Sequence, residues 1–313
     1  MELIRGIHNI QPRHKGCVLT IGNFDGVHLG HQQVLSQVLK QAQLLDLPSV
    51  VMTFEPQPME FFAGSNAPAR LTRLRDKLTQ LDKLDVDRLL CVNFNQAFAD
   101  MSPESFVKDL LVDRLGVKFL VVGDDFCFGK QRRGDFTMLQ QAGAEFGFEV
   151  VSTQSYRLEK TRVSSTEIRL ALDHNDLKSA QEMLGRPYSI TGRVSHGRKL
   201  GRTIGFPTAN LPLKRCVSPV SGVYVVEAIM PNGSIVGGVA NIGNRPTVEG
   251  VRQQLEVHLF DFTANLYGQA LEVVLKHKLR EEKKFSSFDA LKEQIKLDAS
   301  AARAWLQSHS AIS

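Results

Sequence analysis

Between residues 17 and 152 the chain alternates short unbroken apolar runs with longer stretches whose apolar positions recur every three or four residues. The runs are CVLTIG, SVVMTF, RLLCVNF, FLVVG and FEVV, and continuous apolarity of that length predicts strands buried on both faces. Between them HQQVLSQVLKQAQLL, LTRLRDKLTQLDKL and ESFVKDLLVDRL carry helical spacing, the last opened by Ser102 as cap and Pro103 at the first helical position. Strand, helix, strand at this pitch predicts right-handed crossovers and a parallel α/β sheet, with ligands at the carboxyl ends of its strands. After Gly185 the rhythm changes. YSITGRVSHG, GVYVVEAIM, SIVGGVANI, QQLEVHLFDF and ALEVVLKHKL are β-rich and separated by turn signals such as Pro231-Asn232-Gly233. Five or six strands without helices between them predict a small antiparallel β-barrel. The tail FSSFDALKEQIKLDASAARAWLQ predicts one long helix begun at Ser286 or Ser287.

Composition agrees with two domains, 1–185 and 186–313: the 313 residues are 42% hydrophobic and 23% charged. No apolar run approaches the roughly 18 residues that span a bilayer, and MELIRGIHNIQPRHK lacks the apolar core of a secretory signal, so no membrane partner is expected. Cys17, Cys91, Cys127 and Cys216 are scattered without zinc spacing, which predicts free thiols in a reducing cytoplasm. Charge is uneven. Residues 186–313 hold 17 Lys and Arg against 10 Asp and Glu, whereas residues 1–185 hold 21 against 23. The basic half should meet an anion. Without a Lys/Arg run interleaved with aromatics, a phosphorylated small molecule suits it as well as nucleic acid.

The candidate chemistry begins at GNFDGVHLGH, residues 22–31, where a strand hands over to a helix. Metal site, phosphate site and ordinary loop are the three readings. The H-x-x-H spacing has no third ligand nearby and no metalloprotease glutamate, which disfavours zinc. A helix N-terminus with Gly26 and Gly30 lets backbone N–H groups approach an anion, and His28 and His31 can donate to charge building on a phosphoryl group. RVSSTEIR, residues 162–169, adds Ser164, Ser165, Thr166 and Arg169 at a helix start, a set suited to ATP phosphates or simply to a capped surface helix. GDDFCFGKQRRG follows the strand FLVV and places aromatics, a glycine and three cations in one loop; pocket and core readings of its phenylalanines stay equal. In GFPTAN, Thr208 and Asn210 lie two residues apart, so an extended backbone points both to one side, where they could hold Mg²⁺ beside a phosphate; a plain turn is the alternative. In LEVHLFDF, Leu255, Val257 and Leu259 share one face and Glu256, His258 and Phe260 the other, which makes Glu256 a solvated outer residue or a general base.

Taken in order, GNFDGVHLGH, GDDFCFG, RVSSTEIR, LGRPY, GFPTAN, NIGNRPT, LEVHLFDF and LREEKKF resemble the bacterial bifunctional riboflavin kinase/FMN adenylyltransferase family over nearly the whole chain. GNFDGVHLGH by itself is similar to the H-x-G-H motif of the nucleotidyltransferase superfamily. The resemblance implies a nucleotidyltransferase-type, Rossmann-like sheet that makes FAD from FMN and ATP, then a kinase barrel that makes FMN from riboflavin. It implies that His28 and His31 stabilise the α-phosphate under attack and that Ser164, Ser165, Thr166 and Arg169 hold the leaving pyrophosphate. Asn23, Asp25 and the Asp125 to Phe128 loop would line the nucleotide and flavin pocket. In the barrel it implies Glu256 as base, Thr208 and Asn210 as magnesium and phosphate ligands beside Pro207, and the Gly197, Gly201 and Gly205 segment folded over ATP. Partners are then riboflavin, FMN, FAD and ATP with Mg²⁺, and no nucleic acid. The rivals are a flavin sensor or carrier without turnover, a tRNA-handling protein sharing H-x-G-H, and a transferase for a different nucleotidyl acceptor.

Overall fold

The six-stranded parallel sheet and the six-stranded antiparallel sheet expected from the two rhythms are both present in the computed structural model. It describes residues 1–123, 125–153, 156–158, 161–196, 205–213, 217–247 and 250–309. The chain divides into two compact units, Met1–Pro68 with Thr72–Ser165, and Ala69–Leu71 with Thr166–Ser313. The rhythm change at Gly185 marks where strand content begins, whereas the contact boundary falls earlier, at the start of the helix Ser165–Asp173.

In the first unit the strands are β1 (Glu2–Arg5), β2 (Cys17–Ile21), β3 (Ser49–Glu55), β4 (Arg88–Asn93), β5 (Val117–Gly123) and β6 (Glu149–Thr153). All five predicted runs form strands. β1, four residues at the sheet edge with Ile4 as its one buried residue, is too short to show a pattern in the sequence. The order β1-β4-β3-β2-β5-β6 is parallel throughout. Alternate residues supply opposite faces. Cys17, Leu19 and Ile21 pack with the helical segment that holds Phe106, Val107, Leu110 and Leu111, while Val18 faces Val38 and Ala42 of the helix Leu29–Leu45. That two-sided burial explains why β2 reads as an unbroken apolar run. Ser102 caps the 103–114 segment through its Oγ, which accepts from the Ser105 N–H at 3.1 Å. From β2 the chain winds outward through β3 to β4, then returns to β2's other side as β5, so the strand order reverses between β2 and β5. The crevice above such a reversal is where open α/β sheets bind ligands. A short hairpin, β7 (Arg157–Leu158) and β8 (Thr161–Arg162), leads out of this unit.

The second unit contains β9 (Ser189–Arg193), β10 (Ala209–Pro212), β11 (Gly222–Ile229), β12 (Ile235–Thr247), β13 (Gly250–Leu259) and β14 (Ala270–Arg280) in the order β10-β13-β12-β11-β14-β9, all antiparallel. A bridge from the Ser195 N–H to the Asn210 carbonyl, 2.8 Å, joins the edge beyond β9 to β10 and nearly closes the sheet into a barrel. Closure leaves little edge to template aggregation. One face of the strands, with Leu211, Tyr224, Val226, Ala240, Ile242, Leu255, Val257, Leu271 and Val273, is at most 1% exposed. The other face carries Val223, Val225, Val239 and Phe260, covered by Ala299, Ala302, Trp305 and Leu306 of the helix Phe288–His309. Ser287 caps that helix, its Oγ accepting from the Ala290 N–H at 3.2 Å. The Arg280 guanidinium clasps the buried Asp298 carboxylate through Nε and Nη2 at 2.6 to 3.1 Å, a planar fork that fixes the helix against β14. Trp305, the only tryptophan, stacks within 10° of parallel on His277 and His309, with ring centroids 5.8 and 3.9 Å away. No described helix is long and apolar enough to cross a membrane.

Candidate functional site

β2 ends at Ile21, and the turn that follows lies at the strand reversal before the helix Leu29–Leu45 begins. His28 is that helix's N-cap: its Nδ1 accepts from the His31 N–H at 3.2 Å, which places the proton of the neutral ring on Nε2. Gly30 keeps the turn open, since a Cβ there would stand 3.2 Å from the His28 ring and 3.4 Å from the Val163 carbonyl. His31 stacks on His28 with centroids 3.6 Å apart and 16° between planes, and lies 4.9 Å from Phe24. Its Nδ1 is enclosed without a hydrogen-bond partner. Burial above all, then His28 and Lys77, hold its pKa well below the ordinary 6.5. The ring is therefore neutral at pH 7, a dipole rather than a cation.

That depressed value has a sign. Above about pH 6.5 the ring is neutral folded or unfolded; below it the unfolded chain takes up a proton that the folded ring refuses, so stability falls on acidification. The unfolding midpoint of this unit should drop between about pH 7 and about pH 5, and His31→Gln should flatten that drop in circular-dichroism melts. An unchanged pH slope in the variant would contradict the assignment.

The turn is held from several sides. The Asp25 Oδ1 accepts from the Thr72 N–H at 2.9 Å and from its hydroxyl at 3.3 Å, and Thr72 Oγ1 in turn accepts from the Gly26 N–H at 2.9 Å. Ser165 Oγ donates to the Asp25 carbonyl at 2.9 Å. The structure thus joins Asn23, Asp25, His28, His31 and Ser165 in one place, and Asp25 is a buried brace of the loop, 2% exposed. Asn23 Oδ1, like His31 Nδ1 and Gln57 Nε2, is enclosed without a partner. Orphaned buried polar atoms are rare in a finished fold, and these three belong to the segments that follow β2 and β3. Ser164, half-buried, immediately precedes the helix Ser165–Asp173. Thr166 and Arg169 belong to the second unit, where Arg169 Nε donates to the Ala69 carbonyl at 2.5 Å.

In the loop after β5, Asp125 is exposed and pairs with Arg162 at 3.4 Å, while Phe128 is buried with its ring 5.0 Å from Phe106 and 5.8 Å from Phe126. Gly134 admits that ring, because a Cβ would come within 2.6 Å of it. Phe128 thereby joins a row of rings: Phe54 to Phe94, Phe94 to Phe98, Phe98 to Phe106, each pair 5.7 to 6.3 Å apart. The row runs along the carboxyl ends of β3, β4 and β5, and contributions from four separate segments hide it from any local pattern.

In the barrel, strand register does the gathering. Asn210 of β10 and Asn241 of β12 both stand directly opposite Glu256 of β13, so the three side chains form one row across the face opposite Leu255 and Val257. Along β13, Gln254, Glu256 and His258 alternate onto this same face. Gln254 Nε2 donates to Asn210 Oδ1 at 2.6 Å, and the His258 Nδ1–H donates to the Pro207 carbonyl at 2.9 Å, fixing the segment ahead of Thr208. Burial lowers the His258 pKa, which keeps the ring neutral in that role. Asn210 Nδ2 also bonds the Thr208 carbonyl at 3.3 Å, so PTAN enters the sheet as an extended segment. Gly205 is described with φ +85°, whereas Gly197 and Gly201 lie outside the described residues. The supporting roles of Gln254 and His258 were legible only as alternation.

Thr208 and Asn210 offer neutral oxygen donors, the hard type that suits Mg²⁺. Among the described residues no group of three His, Cys, Asp or Glu could hold a metal.

Two family models match the chain, one after the other. Residues 10–167 match the family model described as FAD synthetase, and residues 184–306 match that described as riboflavin kinase. Fold and matches together define a two-module transferase, a nucleotidyltransferase sheet followed by a flavokinase barrel. Curated relatives match end to end: the bifunctional riboflavin kinase/FMN adenylyltransferase of Haemophilus influenzae is 54% identical over 98% of this chain and 100% of its own. That of Escherichia coli K12 is 55% identical over 97% of each. The chain belongs to the bifunctional riboflavin kinase/FMN adenylyltransferase family. A crystal structure from Streptococcus pneumoniae described as a macrolide-efflux protein shares the fold, with TM-score 0.79 and 30% identity over 97% of this chain and 100% of that one.

Proposed function

We propose that the first module, 1–185, joins AMP from ATP to FMN and that the second, 186–313, phosphorylates riboflavin, with the side chains described above in the following roles. In the first reaction an oxygen of the FMN phosphate attacks the α-phosphorus of ATP and the bond to pyrophosphate breaks. His28 and His31, stacked at the start of the helix with the His31 ring held neutral by burial, donate to the α-phosphate as its charge builds, and the helix dipole adds to them. Ser164, Ser165, Thr166 and Arg169 hold the departing pyrophosphate. Asn23, Asp25 and the Asp125 to Phe128 loop line the pocket, and the aromatic row offers a planar flavin an apolar edge.

In the second reaction the ribityl 5′-hydroxyl oxygen attacks the γ-phosphorus, its proton passes to the Glu256 carboxylate, and the bond to ADP breaks. Thr208 and Asn210 would hold Mg²⁺, which neutralises phosphate charge when bound. Gln254 and His258 keep that pair in place, and the Gly197, Gly201, Gly205 and Pro207 segment approaches the nucleotide with its backbone. Phosphoryl transfer asks mainly for positioning and charge neutralisation, so one carboxylate among amides is enough. The three described cysteines are free thiols, which supports a reducing cytoplasm as the setting.

The observation that carries this reading is the register that sets Glu256 directly opposite Asn210. Purified protein given riboflavin, ATP and Mg²⁺ should produce FMN that rises and then gives way to FAD, followed by chromatography over time. Riboflavin bound without conversion would favour a carrier instead.

A further inference from the structure

Lys77 occupies the stripe of the helix Leu74–Asp82 that also carries Leu74, Leu78 and Leu81, and is 1% exposed. A lysine at such a position needs a polar reason, since burying an ammonium in apolar surroundings is strongly unfavourable. Its Nζ donates to Thr53 Oγ1 at 3.0 Å, and Thr53, itself 0% exposed, donates onward to the Asn23 carbonyl at 3.2 Å. Helix, strand end and turn are thereby tied in one line. The turn at its far end is strained: Phe24 at φ 47° and Val27 at φ 42° sit in the left-handed region, which is hardest for a β-branched residue. Such strain persists only where neighbours over-determine the backbone. Thr72 and Ser165 brace Asp25 and Gly26; the Lys77 line braces Asn23.

We propose that Lys77 is a positioning residue for adenylyl transfer, holding the 23–27 turn through Thr53 so that His28 and His31 meet the phosphate in one geometry. The inference rests on the reading of those histidines as phosphate donors. The same ammonium, behind burial and His28, also disfavours a proton on His31 and so keeps that ring a neutral donor.

The test compares Lys77→Met, Thr53→Val and the double variant in the full chain, measuring kcat and KM for FMN adenylylation, riboflavin phosphorylation and the melting midpoint. Each single change should lower the adenylylation kcat about 10- to 100-fold with the KM for ATP within about twofold, because misplacement by an ångström has that effect. The double variant should lose no more than the worse single, since both cut one line. Riboflavin phosphorylation should stay at the wild-type rate. Wild-type adenylylation in folded Lys77→Met, losses that multiply in the double variant, or both activities falling together would overturn the proposal. Thr53→Val keeps the ammonium and cuts the same line, so it decides the question if Lys77→Met does not fold. His28→Ala run beside them separates the two layers: a wild-type rate there defeats the donor reading itself, whatever Lys77 does.

Discussion

Glu256→Gln should cut FMN formation by orders of magnitude while added FMN is still converted to FAD. The substitution keeps size and hydrogen-bonding capacity at a half-buried strand position between Asn210 and Asn241, so barrel register should survive. What it removes is the only group in that row able to take a proton. Positioned bases contribute about 10²- to 10⁴-fold, and the riboflavin kinase kcat should fall by that factor with little change in the KM for ATP. The side chains proposed for adenylyl transfer in the first unit lie on another sheet with its own core, so the rate of that reaction should be untouched. Initial rates of FMN and FAD appearance, read in separate assays, decide the matter. Equal loss of both activities would break the assignment of one reaction to each module, and unimpaired FMN formation would remove Glu256 as base.

His28→Ala should produce the opposite phenotype, with FMN accumulating and FAD formation slowed about 10²- to 10³-fold, the usual effect of losing one donor to a developing oxyanion. A second loss accompanies it, because the same ring caps the helix Leu29–Leu45, and losing a cap costs about 1 kcal/mol. His28→Asn separates the two. Asparagine caps well, so stability should return, but the imidazole donor is gone and the slow FAD formation should remain. If Asn restored the rate along with the melting midpoint, His28 would be a structural cap and the phosphate role would fall to other groups.

The strands and helices were legible because their signals are local: β2 and β5 as apolar runs, the 103–114 segment by Ser102 and Pro103, the last helix by Ser287. The placement of His28 and His31 after β2 and of Glu256 in mid-strand was legible in the same way. What stayed hidden depends on partners far apart in sequence. Thr53 and Lys77 are ordinary until the fold lines them up behind Asn23, although a lysine on the apolar stripe of LRDKLTQLD is a visible anomaly. The aromatic row needs four segments at once, and Asn241 joins Glu256 only through register. Asp25 looked like a pocket residue and also proves to be a brace, since its Thr72 partners lie 47 positions away.

Trp305 gives the molecule a built-in optical reporter. Being the sole indole, and seated in the helix that covers the barrel between His277 and His309, it makes the emission excited through tryptophan belong to the second unit alone. Denaturation followed by that emission tracks the barrel, while far-ultraviolet dichroism sums both units. Any gap between the two curves measures directly whether the kinase and the adenylyltransferase melt as one cooperative body or as two.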